Sequence, residues 1–289
     1  VYKRQVVMYL FIAIYCFIQG FTEFLPISSQ AHLIVFNNFF ELEINELSLR
    51  SINIMAHFGS LLAIITYYFK DCVRLILSSK NFFQSYLDPY TILLKNIIYA
   101  SLPIFFIGYF VANQISTNYL ESLTIIGWVS IIFGVLLYYI DKYCLRIKHL
   151  DRVDLKSSLI IGFFQSLAII PGISRSGAAL TVMRFFGFTR SDSVRFSNFL
   201  SIPAIGGATI YLIFNLKYEY DYIDYFSFYN LLIIFLSFLF SIFFIHFLVT
   251  WVQKSSLALF MWYRIIFGSL IIFYTSIDLS DVGWNNYFQ

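Results

Sequence analysis

Six stretches of this 289-residue chain stay apolar for about the 20 residues that a helix needs to cross a bilayer core, at 51–69, 92–112, 122–140, 196–214, 229–250 and 257–275. None shows the alternation of a barrel strand, and only helices or closed barrels satisfy every backbone N–H and C=O in lipid. The expected class is therefore an all-α integral membrane protein. Two further apolar regions, 6–36 and 159–187, are interrupted by Pro, Ser, Gly and a charge, so neither reads as a simple span. Each is predicted to be a broken helical hairpin.

The two broken regions match each other. "FIQGFTEFLPISSQAHL" (17–33) and "FFQSLAIIPGISRSGAAL" (163–180) carry Phe, Gln, Pro, Ile and Ser in the same order, pairing Gln19 with Gln165, Pro26 with Pro171 and Ser28 with Ser174. The following spans also match, "FGSLLAIITYYF" against "IGGATIYLIF". The chain thus divides into a first repeat (1–140), a linker (141–158) and a second repeat (159–289).

Loop charge gives the repeats a direction. Lys and Arg gather in 70–80, 141–156 and 184–195, whereas 41–50, 113–121, 217–224 and 278–289 are mostly acidic and poor in them. The basic segments are expected on the cytoplasmic side. This sends 51–69 and 196–214 in opposite directions, so the topology is an inverted repeat. Region 159–187 must then enter and leave by one face, breaking at Pro171 and Gly172, and by symmetry 6–36 dips in from outside and breaks near Pro26. About six full spans plus two re-entrant helical hairpins result. Lys3 and Arg4 run against this assignment. Inverted repeats with broken helices place their functional site where the breaks meet.

Composition agrees with the class, at 60% hydrophobic and 12% charged residues against roughly 25% charged in soluble domains. A net charge of +3, scattered along the chain, gives no nucleic-acid surface. Cys16, Cys72 and Cys144 share no close spacing, which predicts packing residues instead of disulfides or a zinc site. The apolar run from Val6 leads into polar chemistry, not a small-residue cleavage site, so no removable signal peptide is expected.

The chemistry sits at the two breaks. Gln19 and Glu23 are four residues apart and share a helix face. A carboxylate inside a membrane segment is costly and needs a partner. Ser28, Ser29 and His32 follow Pro26, with Ser29 and His32 able to meet on one turn. A histidine beside a hydroxyl serves as general base, general acid or nucleophile near neutral pH. In the second region, Ser174, Arg175, Ser176 and Gly177 open a helix whose N-terminus favours anions. Arg175 adds a planar fork suited to phosphate oxygens. The bland alternative is an Arg175–Glu23 pair that only ties the hairpins together. His57 is a supporting candidate for the cavity lining, and His246 is expected to be structural.

The runs "QGFTEFLPISSQAHL", "PGISRSGAA" and "RFSNFLSIPAIGGA" resemble the bacterial undecaprenyl-diphosphate phosphatase family, also called bacitracin-resistance proteins, over nearly the whole chain. The resemblance implies removal of the terminal phosphate from a polyprenyl diphosphate, which recycles the lipid carrier of cell-wall (peptidoglycan) synthesis. It also implies a multi-pass protein of the bacterial cytoplasmic membrane with a site opening outward. Expected partners are the lipid diphosphate and the bilayer, and the sequence is compatible with a homodimer among other assemblies.

Family motifs carried onto this sequence put the catalytic group at Glu23, Ser29, His32 and Arg175. They put the diphosphate-binding group at Ser174, Arg175 and Ser176, to which the reading of the two breaks adds Gly177 and Ser28. Family use of Mg or Ca implies Glu23 as the metal ligand. Three positions depart from the family pattern. Gln19 stands where the family has its first glutamate, removing one negative charge, and Ala31 and Ala179 stand for a glycine and a threonine.

The expected mechanism sets the diphosphate against the Ser174–Gly177 helix start, with Arg175 stabilising the transferring phosphoryl group. The nucleophile is Ser29 or a water with His32 as proton carrier, or His32 itself. Glu23 either activates that histidine or helps to hold a cation. A second phosphatase class, with a K-x6-RP, PSGH and SR-x5-H-x3-D signature, lacks its Lys-x6-Arg-Pro and its second histidine here. The non-enzyme alternative is a polyprenyl-phosphate flippase or transporter, which needs the anion cradle but not the Ser29 and His32 pair.

Overall fold

The structure, a computed structural model, describes residues 2–40, 49–84, 88–114, 121–219 and 227–285. Most of the acidic connecting segments assigned above to the outer side (41–48, 115–120, 220–224 and 286–289) lie outside the described residues. The first half contains α1 (Tyr2–Phe24), α2 (Ser29–Phe39), α3 (Leu49–Tyr67), α4 (Phe69–Ser78), α5 (Pro89–Gln114) and α6 (Leu123–Tyr143). The second contains α7 (Leu155–Ser166), α8 (Arg175–Phe185), α9 (Arg190–Glu219), α10 (Phe228–Lys254) and α11 (Ala258–Asn285). No β-strand occurs among the described residues, only one isolated bridge between Lys148 and Phe188.

Seven of these helices are long and apolar enough to cross a membrane. This makes the chain a multi-pass membrane protein, with one candidate span more than the six expected. The additional one is Val6–Phe24 of α1. Its polar residues, Gln19 and Glu23, sit in the last turns, which leaves an unbroken apolar run ahead of them. The matching α7 is shorter, and with the turn after it forms only the short apolar helix Leu155–Ile169. Asp154 starts α7 by accepting a hydrogen bond from the Ser157 backbone N–H at 2.8 Å. The amphipathic helix α4 occupies a segment expected to be loop.

Packing repeats between the halves. Helix α1 lies along α10, and α5 lies along α7, while α6 packs on α11. Exchanging the two halves turns the first pairing into the second, which is consistent with the expected repeat. A Cβ on Gly20 would come within 2.5 Å of Phe240 Cβ, so α1 and α10 approach as closely as they do only because that residue is glycine. One core cluster gathers Ile12, Tyr15, Phe36 and Ile52 around the first hairpin. A second gathers Ile161, Met183, Phe196 and Phe199 around the second hairpin. Between them, Leu25 and Ile27 meet Leu180, Val194 and Leu248. Large apolar side chains such as Phe106, Leu270 and Phe273 stay exposed, as a lipid-facing surface requires. The three cysteines are unpaired, in keeping with packing roles.

The three basic segments come together at one end of the bundle. Asp71 pairs with Arg195 at 3.0 Å. Asp141 binds Arg184 at 2.9 Å and Arg190 at 2.6 Å. Arg184 and Asp141 are fully buried, and Arg184 also donates to the carbonyls of Leu145 and Phe188. One carboxylate thus fastens the ends of α6 and α8, the start of α9 and the turn before α11, where the Leu257 N–H donates to it.

Candidate active site

Helix α1 ends at Phe24 because Pro26 has no N–H and disfavours the helical conformation at Leu25. The second break runs through a single 3-10 turn, Leu167–Ile169, to Pro171 and Gly172, whose φ of +101° is ready access for glycine. Both new helices then start the same way. Ser28 (φ 75°) accepts from the Ala31 N–H at 3.5 Å to cap α2, and Ser174 (φ 71°) accepts from the Gly177 N–H at 3.1 Å to cap α8. They are the only non-glycine residues with positive φ among those described. Each such conformation costs about 1–3 kcal/mol and persists only where its surroundings enforce it.

Those surroundings are the opposite hairpin. The Gly172 N–H donates to Ser28 Oγ at 3.1 Å, and the Ser176 hydroxyl donates to the Leu25 carbonyl at 2.9 Å. Beneath both turns lies Arg264 of α11, 1% exposed. Its guanidinium donates to the carbonyls of Ser130 (2.9 Å), Pro26 (3.2 Å), Ile173 (3.2 Å) and Gly172 (2.6 Å). This one side chain satisfies carbonyls that the two breaks leave outside any helix. An arginine within the apolar run "MWYRIIFG" was the signal for it in the sequence, because an intramembrane charge calls for a dedicated role.

The hairpin tips border a cavity of about 560 Å³. Glu23, Ser28, Ser29, His57, Ser174 and Arg175 line it, with Asn37, Arg50 and Glu121 also on its wall. Glu23 is the hub. Its Oε1 is 3.1 Å from Arg175. Its Oε2 accepts from Ser29 Oγ at 2.7 Å and Gln19 Nε2 at 3.2 Å, and lies 3.6 Å from His57 Nε2. Arg175 is steadied by Ser201 of α9, 2.6 Å from its second terminal nitrogen. Ser201 was not singled out in the sequence, although it lies within "RFSNFLSIPAIGGA".

Two expectations change with this geometry, those for His32 and for Ser176 with Gly177. His32 does not line the cavity. Its Nδ1 lies 2.7 Å from the Ser28 carbonyl and its Nε2 lies 2.8 Å from the Tyr263 hydroxyl, while its ring stacks on Phe267 at 3.9 Å. Because a carbonyl only accepts, Nδ1 carries a hydrogen, and Nε2 shares a hydrogen bond with the tyrosine hydroxyl, so both ring nitrogens are engaged. Ser176 and Gly177 lie behind the cradle, their polar atoms used in the turns. Gln19 is fully buried and reaches the site only through Glu23, its own Oε1 without a partner. His57 lines the cavity, as expected of a supporting residue, with its Nε2 3.6 Å from Glu23 Oε2. His246, by contrast, meets Tyr67 at 3.3 Å, away from the site, as expected of a structural residue.

The residues present suit a divalent cation poorly. Among the described residues no group of three His, Cys, Asp or Glu side chains is placed to hold a metal ion. Mg and Ca take six or more oxygen ligands, and even where water and substrate phosphate supply most of them the protein gives one or two carboxylates free to coordinate. The Glu23 carboxylate already serves Arg175, Ser29 and Gln19, and the position beside it offers a neutral amide in place of a second carboxylate.

Comparison with known proteins agrees with the motifs. The chain is 40% identical over 266 residues to the Undecaprenyl-diphosphatase of Pelagibacter ubique (strain HTCC1062), covering 91% of this chain and 95% of that relative. It is 34% identical over 252 residues to the protein of the same name from Saccharophagus degradans, covering 87% and 92%. A third, from Desulforudis audaxviator, is 33% identical over 255 residues, covering 88% and 93%. The profile described as "Bacitracin resistance protein BacA" matches residues 12–270, and the chain belongs to that family.

Proposed function

We propose that this chain is an undecaprenyl-diphosphate phosphatase, which hydrolyses the lipid diphosphate to the monophosphate and inorganic phosphate. The observation that carries the reading is the Glu23 carboxylate joining Ser29 to Arg175 at the cavity wall. A hydroxyl donating to a buried carboxylate is a nucleophile next to its base. A guanidinium and a capped helix start on the other side present positive potential to phosphate oxygens.

In this reading the Ser29 oxygen bonds the terminal phosphorus while its proton passes to Glu23. The bridging P–O bond breaks and the lipid monophosphate leaves. Water then cleaves the phosphoserine, one of its protons returning to Ser29 Oγ and its hydroxyl staying on the phosphate. Arg175 and Ser174 steady the charge on the phosphoryl oxygens throughout.

The repeat-related serine caps and the exchangeable helix pairings support the inverted-repeat reading, with the two hairpins re-entrant. The basic segments sit together at one end, while Arg50 and Glu121, from segments assigned outside, line the cavity. This supports a site in the bacterial cytoplasmic membrane that opens outward. The common name of the relatives favours hydrolysis, and nothing in them favours a flippase. The test is phosphate release from undecaprenyl diphosphate by the purified protein in detergent. Release at a rate proportional to protein supports the reading, and none, with or without Mg or Ca, defeats it.

A further inference from the structure

With both nitrogens of His32 engaged, the reaction still has a proton to dispose of. Hydrolysis of a diphosphate ester leaves one proton to be carried away when its products are ionised, and Glu23 is enclosed. Its side chain is only 6% exposed.

His57 of α3 has the geometry for that task. Its Nδ1 lies 2.8 Å from the Asn53 carbonyl, so that nitrogen bears a hydrogen in either charge state. The exchangeable proton therefore belongs to Nε2, the nitrogen 3.6 Å from Glu23 Oε2. That oxygen is the same atom that receives the Ser29 hydroxyl. The His57 side chain is 26% exposed and lines the cavity, which puts it within reach of water. Its backbone anchor is itself positioned, because the Tyr15 hydroxyl bonds Asn53 Oδ1 at 3.3 Å. Ser29 Oγ, Glu23 Oε2 and His57 Nε2 thus form a continuous route from the reacting centre to the cavity water.

We propose that His57 is the proton-carrying residue of this site, acting through Glu23 on the proton that leaves Ser29. The proposal rests on the phosphatase reading above. As the Ser29 oxygen bonds phosphorus, its O–H bond breaks and an O–H bond forms on Glu23 Oε2. That bond breaks in turn as Nε2–H forms on neutral His57, which restores the carboxylate and leaves an imidazolium beside it. The imidazolium then gives its proton to cavity water, and the next turnover starts from the neutral ring. The charged and titratable groups on the same cavity are Glu23 from α1, Arg175 from α8, Arg50 from α3, Glu121 from the segment before α6, and Tyr15. The nearby α9 and α10 residues Ala208, Leu212, Ser237 and Phe238 are uncharged.

The experiment is the pH dependence of kcat and KM for phosphate release from undecaprenyl diphosphate, comparing wild type with His57→Gln, which keeps hydrogen-bonding capacity but carries no proton. The expected result is a kcat lower by about 100-fold, the low end of what general acid–base catalysis contributes, with KM little changed. The acid limb of the wild-type kcat profile is expected to lose the contribution of His57 in the variant and to keep only that of Glu23. His57→Ala provides a second arm, in which added imidazole restores turnover because the vacated position opens on the cavity. A folded His57→Gln with wild-type kcat and an unchanged acid limb overturns the proposal, as does a folded His57→Ala that is inactive and unmoved by imidazole. Absence of activity in the wild type itself refutes the phosphatase reading instead, so the two failures are distinguishable.

Discussion

Replacing Arg264 by Met separates the arginine that builds the site from the arginine that uses it. Arg264 makes four hydrogen bonds to carbonyls of both hairpin turns and of α6, all buried. Hydrogen bonds to a charged donor contribute about 1.5–3 kcal/mol each, so four give roughly 6–12 kcal/mol of gross interaction. Against this stands the desolvation of a buried guanidinium, still several kcal/mol after relaxation. The methionine fills much of the volume but leaves the carbonyls of Pro26, Gly172 and Ile173 with no donor, and the net loss expected is about 3–5 kcal/mol. At roughly 2–4 °C per kcal/mol for a large domain, the melting temperature of the detergent-solubilised protein falls by about 6–20 °C. Differential scanning fluorimetry on matched samples measures it. Arg175→Gln, whose guanidinium borders the cavity and is steadied by only two side chains, is expected to shift the midpoint much less. An Arg264→Met midpoint equal to wild type would refute the view that this residue holds the two breaks in place.

Three further outcomes follow from other contacts. Asp141→Asn leaves the fully buried Arg184 without a counter-charge, and a loss of about 3–5 kcal/mol is expected in thermal unfolding while the folded fraction keeps its turnover. Gln19→Glu places a second carboxylate four residues from Glu23 on the same face, and turnover is expected to become responsive to added Mg, whereas wild-type turnover is expected to resist EDTA. His32→Gln breaks the contact to Tyr263 and the stack on Phe267, which thermal unfolding is expected to register as a loss of stability.

The helical class and the two breaks were legible because apolar length and proline leave local signatures, and Ser28 and Ser174 were matched by sequence before their shared backbone conformation was seen. The pairing of Glu23 with Arg175 could also be inferred, since an isolated charge of each sign in a membrane segment seeks the other. The fate of His32 could not. Its spacing from Ser29 permits a shared turn, but the ring is claimed by Tyr263 and Phe267, more than 200 residues away in sequence. Likewise the role of His57 depends on the rotation of α3 against α1, which no local pattern encodes. Arg264 was visible as an isolated charge, yet its four acceptors are carbonyls, groups that every residue possesses and that no motif marks.

The central claim is that Ser29, Glu23 and Arg175 form the reacting centre. Its most direct measurement is inorganic phosphate release from undecaprenyl diphosphate by wild type, Ser29→Ala and Arg175→Gln at equal folded concentration. Robust release by wild type is predicted, with a loss of about 100-fold or more in Arg175→Gln, the scale seen when one transition-state donor is removed, and a larger loss in Ser29→Ala, which lacks the nucleophile. Two folded variants that release phosphate at the wild-type rate would contradict it.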